Sequence, residues 1–138
     1  MPKSTNQALI AAAAKACGDS VAPYSKFCVG AALLTAEGEV VTGANVESAS
    51  YGLTCCAERV ALFTALTSGK RNLVAIAVVA RIKGGPMPCG ACRQLLAEYA
   101  ADAQVWVADS RALDQTRSFT VRKLLPGAFL EVPSAKRE

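Results

Sequence analysis

From Leu73 to Ala80 the chain reads Leu-Val-Ala-Ile-Ala-Val-Val-Ala, an apolar run with no polar interruption, bounded by Asn72 and Arg81. A strand wetted on one face alternates apolar and polar residues, whereas an unbroken Val- and Ile-rich run of this length suits a strand covered on both faces. That places it at the centre of a sheet with helices above and below, and it limits the chain to the α/β class. The run is far shorter than a membrane span, and no longer apolar run occurs.

The rest of the pattern fits around this strand. Ser4, Thr5 and Asn6 offer N-caps to an alanine-rich helix reaching about Cys17, ended by Gly18. Phe27 to Thr35 and Glu39 to Val46 read as a hairpin turning at Glu37-Gly38, with Gly43 ending or bulging the second strand. Glu47 to Thr54 reads as a loop, and Thr54 as the cap of a helix from about Cys55 to Thr67. Past the central strand come a Gly- and Pro-rich loop from Ile82 to Pro88, a helix from about Cys89 to Tyr99 and a strand from Gln104 to Ala108. Ser118 to Leu125 reads as a short strand or a last helical turn, and Pro133 onward as a frayed charged tail. With 138 residues and no compositional break, the expectation is one domain over residues 1–138: one mixed sheet with helices on its faces.

Composition narrows the function. Hydrophobic residues are 52% and charged residues 19%, which excludes disorder and leaves small apolar surface for burial between subunits. A net charge of +4, scattered without a basic block, asks for no nucleic-acid partner. Ala8 to Ala14 leads into Lys15, Cys17 and Asp19 without a cleavage-site pattern, so it reads as helix and not as a signal segment. Six cysteines in such a chain point to metal or catalysis in a reducing, cytoplasmic setting. Histidine is absent, which removes Ser–His and Cys–His nucleophile systems and every His-ligated metal site.

Cys89-Gly90-Ala91-Cys92 stands at the start of one predicted helix and Cys56 near the start of another. Three thiolates at helix N-termini, where partial positive charge favours the anion, suit a sulfur-rich tetrahedral ion such as Zn²⁺. Three protein ligands leave a fourth position for water, the mark of a catalytic site. Glu58, two residues after Cys56, is the acid–base candidate. Three thiolates over-neutralise one Zn²⁺, so Arg59 first and Arg93 second are expected to donate to the sulfurs. A redox dithiol, or a closed structural zinc with Cys55 as fourth ligand, are the competing readings, and neither accounts for Glu58. Cys17, Cys28 and Cys55 are expected in core packing.

These residues match the zinc-deaminase signature in its all-Cys form. With Tyr24-Ser25-Lys26-Phe27, Val29 to Leu34, Asn45-Val46-Glu47, Cys56-Ala57-Glu58-Arg59, Pro88 to Gln94 and Leu124 to Phe129, the chain resembles the small homotetrameric zinc-dependent cytidine deaminases. The resemblance runs from about Pro23 to Phe129; Ser48 stands where the family commonly has Asn.

The resemblance implies a three-layer α/β/α sandwich with a five-stranded mixed sheet, one Zn²⁺ per subunit and a homotetramer with shared active sites. It implies that Phe27 packs on a pyrimidine ring and that Asn45 and Glu47 hydrogen-bond the ribose hydroxyl. The resemblance further implies that Glu58 holds N3, that the Ala57 N–H donates to O2, that the Met87 carbonyl faces the amino group and that Gln94 supports Arg59. It also implies that Ala49, Tyr51 and Phe129 reach a neighbouring subunit's pocket. The expected reaction is hydrolytic deamination of cytidine and 2′-deoxycytidine to uridine and 2′-deoxyuridine with release of ammonia. Its rivals are a deaminase of modified cytosine nucleosides, a polymer deaminase, disfavoured by the missing basic stripe, and a non-enzymatic zinc module.

Overall fold

The computed structural model describes residues 3–132. In chain order it contains α1 (Lys3–Ala16), β1 (Val29–Thr35), β2 (Val40–Ala44), α2 (Ala57–Thr67), β3 (Leu73–Ala80), α3 (Gly90–Tyr99), β4 (Gln104–Asp109), β5 (Arg117–Thr120) and α4 (Val121–Leu124). The five strands form one sheet in the order β2-β1-β3-β4-β5, so the apolar run does occupy the centre. β1 runs antiparallel to both β2 and β3, β4 is parallel to β3, and β5 is antiparallel to β4.

Alternation along β3 divides the core. Ala75, Ala77 and Val79 face α1, where Leu9, Ile10 and Ala13 meet them together with Trp106. Ile76 and Val78 face α2 and α3, packing with Ala61, Leu62, Ala65, Leu96 and Ala97. The result is a three-layer sandwich, as expected.

The same directions position the site. β2, β3 and β4 all point one way, because β2 and β3 are each antiparallel to β1. α2 follows β2 and α3 follows β3, so both helices begin beside the carboxyl ends of these strands, where open α/β sheets form their crevices.

Several local expectations are corrected. Ser4, Thr5 and Asn6 lie inside α1 and not before it, since the helix starts at Lys3. Thr54 is no cap: α2 begins two residues beyond the expected Cys55, with Cys56 at the N-cap and no side-chain capping bond. Cys55 is held extended by paired backbone hydrogen bonds with Val46, N to O at 2.8 and 3.0 Å, which prevents it from entering the helix. The Thr54 hydroxyl instead accepts from Ser48 N–H. Gly43 neither ends nor bulges β2; it pairs in register with Ala31, and a Cβ there would stand 2.4 Å from Ala61 N, so its absence lets α2 lie against the strand. Ser118 to Leu125 contributes to both β5 and α4. The charged tail expected from Pro133 lies outside the described residues.

Candidate active site

Cys56 and Cys89 occupy the N-cap positions of α2 and α3, both in extended backbone geometry, and Cys92 sits buried in the first turn of α3. At these positions the first N–H groups of each helix lack intrahelical acceptors and favour a negative sulfur. Cys56 Sγ is 3.8 Å from Cys89 Sγ, and Cys89 Sγ is 3.5 Å from Cys92 Sγ. All three lie within 4.8 Å of one another, and all six cysteines are free.

Zn–S bonds of about 2.3 Å in tetrahedral geometry set sulfurs about 3.8 Å apart, so this triangle fits the ion without rearrangement. Cys55, restrained by its bridge to Val46, is not among the converging thiols, which leaves the cluster three-liganded.

Electrostatics match that chemistry. The Cys56 thiol is held at about 5, below its ordinary value, because the Cys92 thiol donates to it and Arg59 and Cys89 add further hydrogen bonds. Cys92 is pushed upward by giving that hydrogen bond and by burial. Arg59 Nη2 donates to the Thr54 carbonyl at 3.3 Å and to Cys56 Sγ at 3.5 Å, while its buried Nε has no partner among the described residues. Its guanidinium pKa is raised, chiefly by the Cys56 hydrogen bond.

Glu58, 6% exposed, lies in the first turn of α2 beside the thiols. Burial pushes its carboxyl up to about 7, a value at which it can both take and return a proton near neutral pH.

These groups open onto a cleft of about 230 Å³, whose walls include Phe27, Asn45, Cys56, Ala57, Glu58, Met87 and Cys89. Five residues assigned by different stretches of sequence, Phe27, Asn45, Ala57, Glu58 and Met87, are thus brought to one wall system with two of the thiols. The Ala57 N–H belongs to the first turn of α2 and is free of an intrahelical acceptor. Glu47 lines an adjoining cavity of about 460 Å³ with Tyr24, Ser25, Ser48 and Tyr51; Thr54 borders both. Ala49, Tyr51 and Phe129 are exposed on the surface of the single chain.

Asn45 and Glu47 carry structural duties as well. Asn45 Oδ1 accepts from Ser20 Oγ at 2.6 Å and Val29 N at 2.9 Å, and Nδ2 donates to the Phe27 carbonyl at 2.8 Å. Glu47 Oε1 accepts from the N–H groups of Tyr24 and Ser25, and Oε2 from the Ser25 hydroxyl. The sequence gives no role to Ser20, nor to Ser25 although it stands in the Tyr24–Phe27 motif; their signal, short hydroxyl residues in a turn segment, is shared by ordinary loops.

Three further expectations are corrected. Arg93 donates to no sulfur: its Nε bonds the Pro88 carbonyl at 2.7 Å and Nη1 the Leu124 carbonyl at 3.0 Å. Gln94 Nε2 reaches the Phe129 carbonyl at 2.6 Å and Glu98, not Arg59. Among the other cysteines, Cys28 is exposed and Cys55 half-buried on the cleft wall; only Cys17 packs against the core, its Sγ 3.3 Å from the Val79 carbonyl.

Known proteins resemble the chain in sequence and fold. Residues 3–108 match the cytidine and deoxycytidylate deaminase zinc-binding region. The chain is 52% identical over 124 residues to a cytidine deaminase of Halalkalibacterium halodurans, covering 89% of this chain and 92% of that one. It is 46% identical to a cytidine deaminase of Sporosarcina psychrophila, covering 88% of each. A crystal structure of cytidine deaminase from Burkholderia pseudomallei superimposes with a TM-score of 0.84 at 48% identity, covering 88% of this chain and 97% of the other. With three thiols and a buried glutamate gathered at its helix starts and a family match spanning residues 3–108 of its 138, the chain belongs to the cytidine and deoxycytidylate deaminase zinc-binding family.

Proposed function

We propose that the protein deaminates cytidine and 2′-deoxycytidine hydrolytically, consuming one water and releasing ammonia. The observation that carries this reading is the buried Glu58 carboxyl beside three convergent thiols at the floor of a nucleoside-sized cleft. When bound by Cys56, Cys89 and Cys92, Zn²⁺ supplies a Lewis acid that makes water nucleophilic near neutral pH.

The chain's own groups do the rest. Glu58 takes one proton of the attacking water and delivers it to pyrimidine N3 so that C4 becomes electrophilic; it then takes the second proton from the resulting C4 hydroxyl and gives it to the amino nitrogen, which departs as ammonia. The Ala57 N–H donates to O2, the Met87 carbonyl accepts from the amino group, and Phe27 covers the ring.

The sugar contacts follow from counting. Asn45 uses both lone pairs of Oδ1 and one N–H within the fold, leaving one N–H. Glu47 accepts three hydrogen bonds, leaving one lone pair of four. One hydroxyl, which both donates and accepts, satisfies both remainders, and a ribose hydroxyl is such a group.

Oligomerisation completes the proposal. Tyr51 is 84% exposed, Leu53 74% and Phe129 65%, a set of large apolar groups that a monomer leaves wet. We assign Ala49, Tyr51 and Phe129 to contacts with a neighbouring subunit's cleft in a homotetramer. No helix among the described residues is long and apolar enough to cross a membrane. The six free thiols support a cytoplasmic setting.

The test is product analysis with zinc-loaded protein: uridine and ammonia formed in equal amounts from cytidine, with no conversion of cytosine inside an oligonucleotide. Conversion confined to modified cytosine nucleosides would overturn the substrate assignment, and no conversion at full zinc occupancy would overturn the activity.

A further inference from the structure

Lys26 holds φ +61°, the one non-glycine residue with positive φ among the described residues, a conformation costing about 1–2 kcal/mol in an L-residue. It stands immediately before Phe27, the aromatic wall of the cleft. Something must hold this strained step in place.

The hydrogen bonds around it form a closed frame. Glu47 Oε1 accepts from Tyr24 N at 3.1 Å and Ser25 N at 3.0 Å, and Oε2 accepts from the Ser25 hydroxyl. The same Ser25 oxygen accepts from Phe27 N at 3.0 Å. Lys26 N bonds the Ala22 carbonyl at 3.0 Å. On the far side, Asn45 Nδ2 donates to the Phe27 carbonyl. Both backbone groups of Phe27 are therefore fixed, one by Ser25 and one by Asn45, and only the ring is left facing the cleft.

We propose that Ser25 is a positioning residue: its hydroxyl, working with the Glu47 carboxylate, latches the Tyr24–Lys26 turn and holds the Phe27 ring where a nucleobase stacks. Ser25 touches neither the thiols nor Glu58, so it acts on binding through Phe27 and not on the chemical step. The hydroxyl is the only group in the turn that both donates to Glu47 and accepts from Phe27 N. Alanine at position 25 keeps the two backbone donors to Glu47 but frees Phe27 N, whereas threonine keeps the hydroxyl.

Two measurements test it. The kinetic one rests on the deaminase reading: Ser25→Ala raises KM for cytidine about five- to tenfold with kcat within about twofold and unchanged zinc content, and Ser25→Thr restores KM to within about twofold. The second does not rest on that reading. Trypsin cuts after Lys26, which is exposed, and cleavage of the zinc-loaded protein at that bond, followed by mass of the Phe27-starting fragment, reports the latch directly. Ser25→Ala is cut there about tenfold faster than wild type and Ser25→Thr at the wild-type rate. Equal cleavage of all three proteins overturns the latch, as does a Ser25→Ala protein whose KM is unchanged or whose loss lies in kcat. Absence of cytidine turnover in wild type would overturn the deaminase reading alone, leaving cleavage to decide the latch.

Discussion

Arg59 Nη2 lies 3.5 Å from Cys56 Sγ, three residues back along the chain, and the buried Nε of the same guanidinium has no partner among the described residues. One turn of helix thus carries a thiolate and the cation that balances it. A donor left unpaired at such a burial is costly unless negative charge is close by, and the thiolate cluster supplies that charge.

Replacing Arg59 by Gln removes this compensation while keeping a polar side chain of similar length. Zinc affinity falls about 10- to 100-fold, the range set by loss of an outer-shell partner. Competition with a chromogenic chelator measures it, and an unchanged affinity would show that the cluster needs no such cation.

Gly43→Ala destabilises the fold by about 3 kcal/mol in urea unfolding, because its Cβ would stand 2.4 Å from Ala61 N and 2.8 Å from the Ala57 carbonyl, backbone atoms that cannot rotate away. The shift also moves the start of α2, so zinc retention weakens with it. A variant as stable as wild type would mean that α2 stands further from β2 than described.

Arg93→Ala cuts the ties from α3 to Pro88 and Leu124. Cys89 follows Pro88 directly, so the metal loop loosens: zinc release accelerates and unfolding stability drops about 1–3 kcal/mol. Lys at this position restores only part of the loss, since it lacks the forked donors that reach two carbonyls. Full rescue by Lys would reduce the role of Arg93 to charge.

The Glu47 carboxyl lies below its ordinary value of 4.5, chiefly through the Ser25 hydroxyl and backbone donors. A depressed folded pKa means that its contribution to stability is complete above the unfolded value and is lost as pH falls through the folded one. Below about pH 4.5, zinc-free wild type therefore loses stability more steeply than zinc-free Glu47→Gln. Parallel acid limbs in the two proteins would remove Glu47 from the turn.

Much of this was readable in the residues. The unbroken run Leu73–Ala80 announced a central strand because only a doubly covered strand tolerates it, and Cys56, Glu58, Cys89 and Cys92 carried a spacing that no packing role explains. Other features depend on tertiary neighbours. Thr54 has the chemistry of an N-cap, but the pairing of Cys55 with Val46 delays the helix. Gly43 looked like a strand breaker; its meaning lies in Ala61, far along the chain. Arg93 and Gln94 come just after Cys92, yet their donors turn to the carbonyls of Pro88, Leu124 and Phe129, a direction that sequence spacing does not specify. Ser25 acquires its role only through Glu47 and Phe27.

The most direct test is the ultraviolet absorbance change of cytidine under zinc-loaded wild-type protein and zinc-loaded Glu58→Gln, side by side. The account predicts steady loss of the cytidine signal with wild type and a rate at least about a thousandfold lower with the variant, at equal zinc content. A Glu58→Gln protein turning over near the wild-type rate would contradict it.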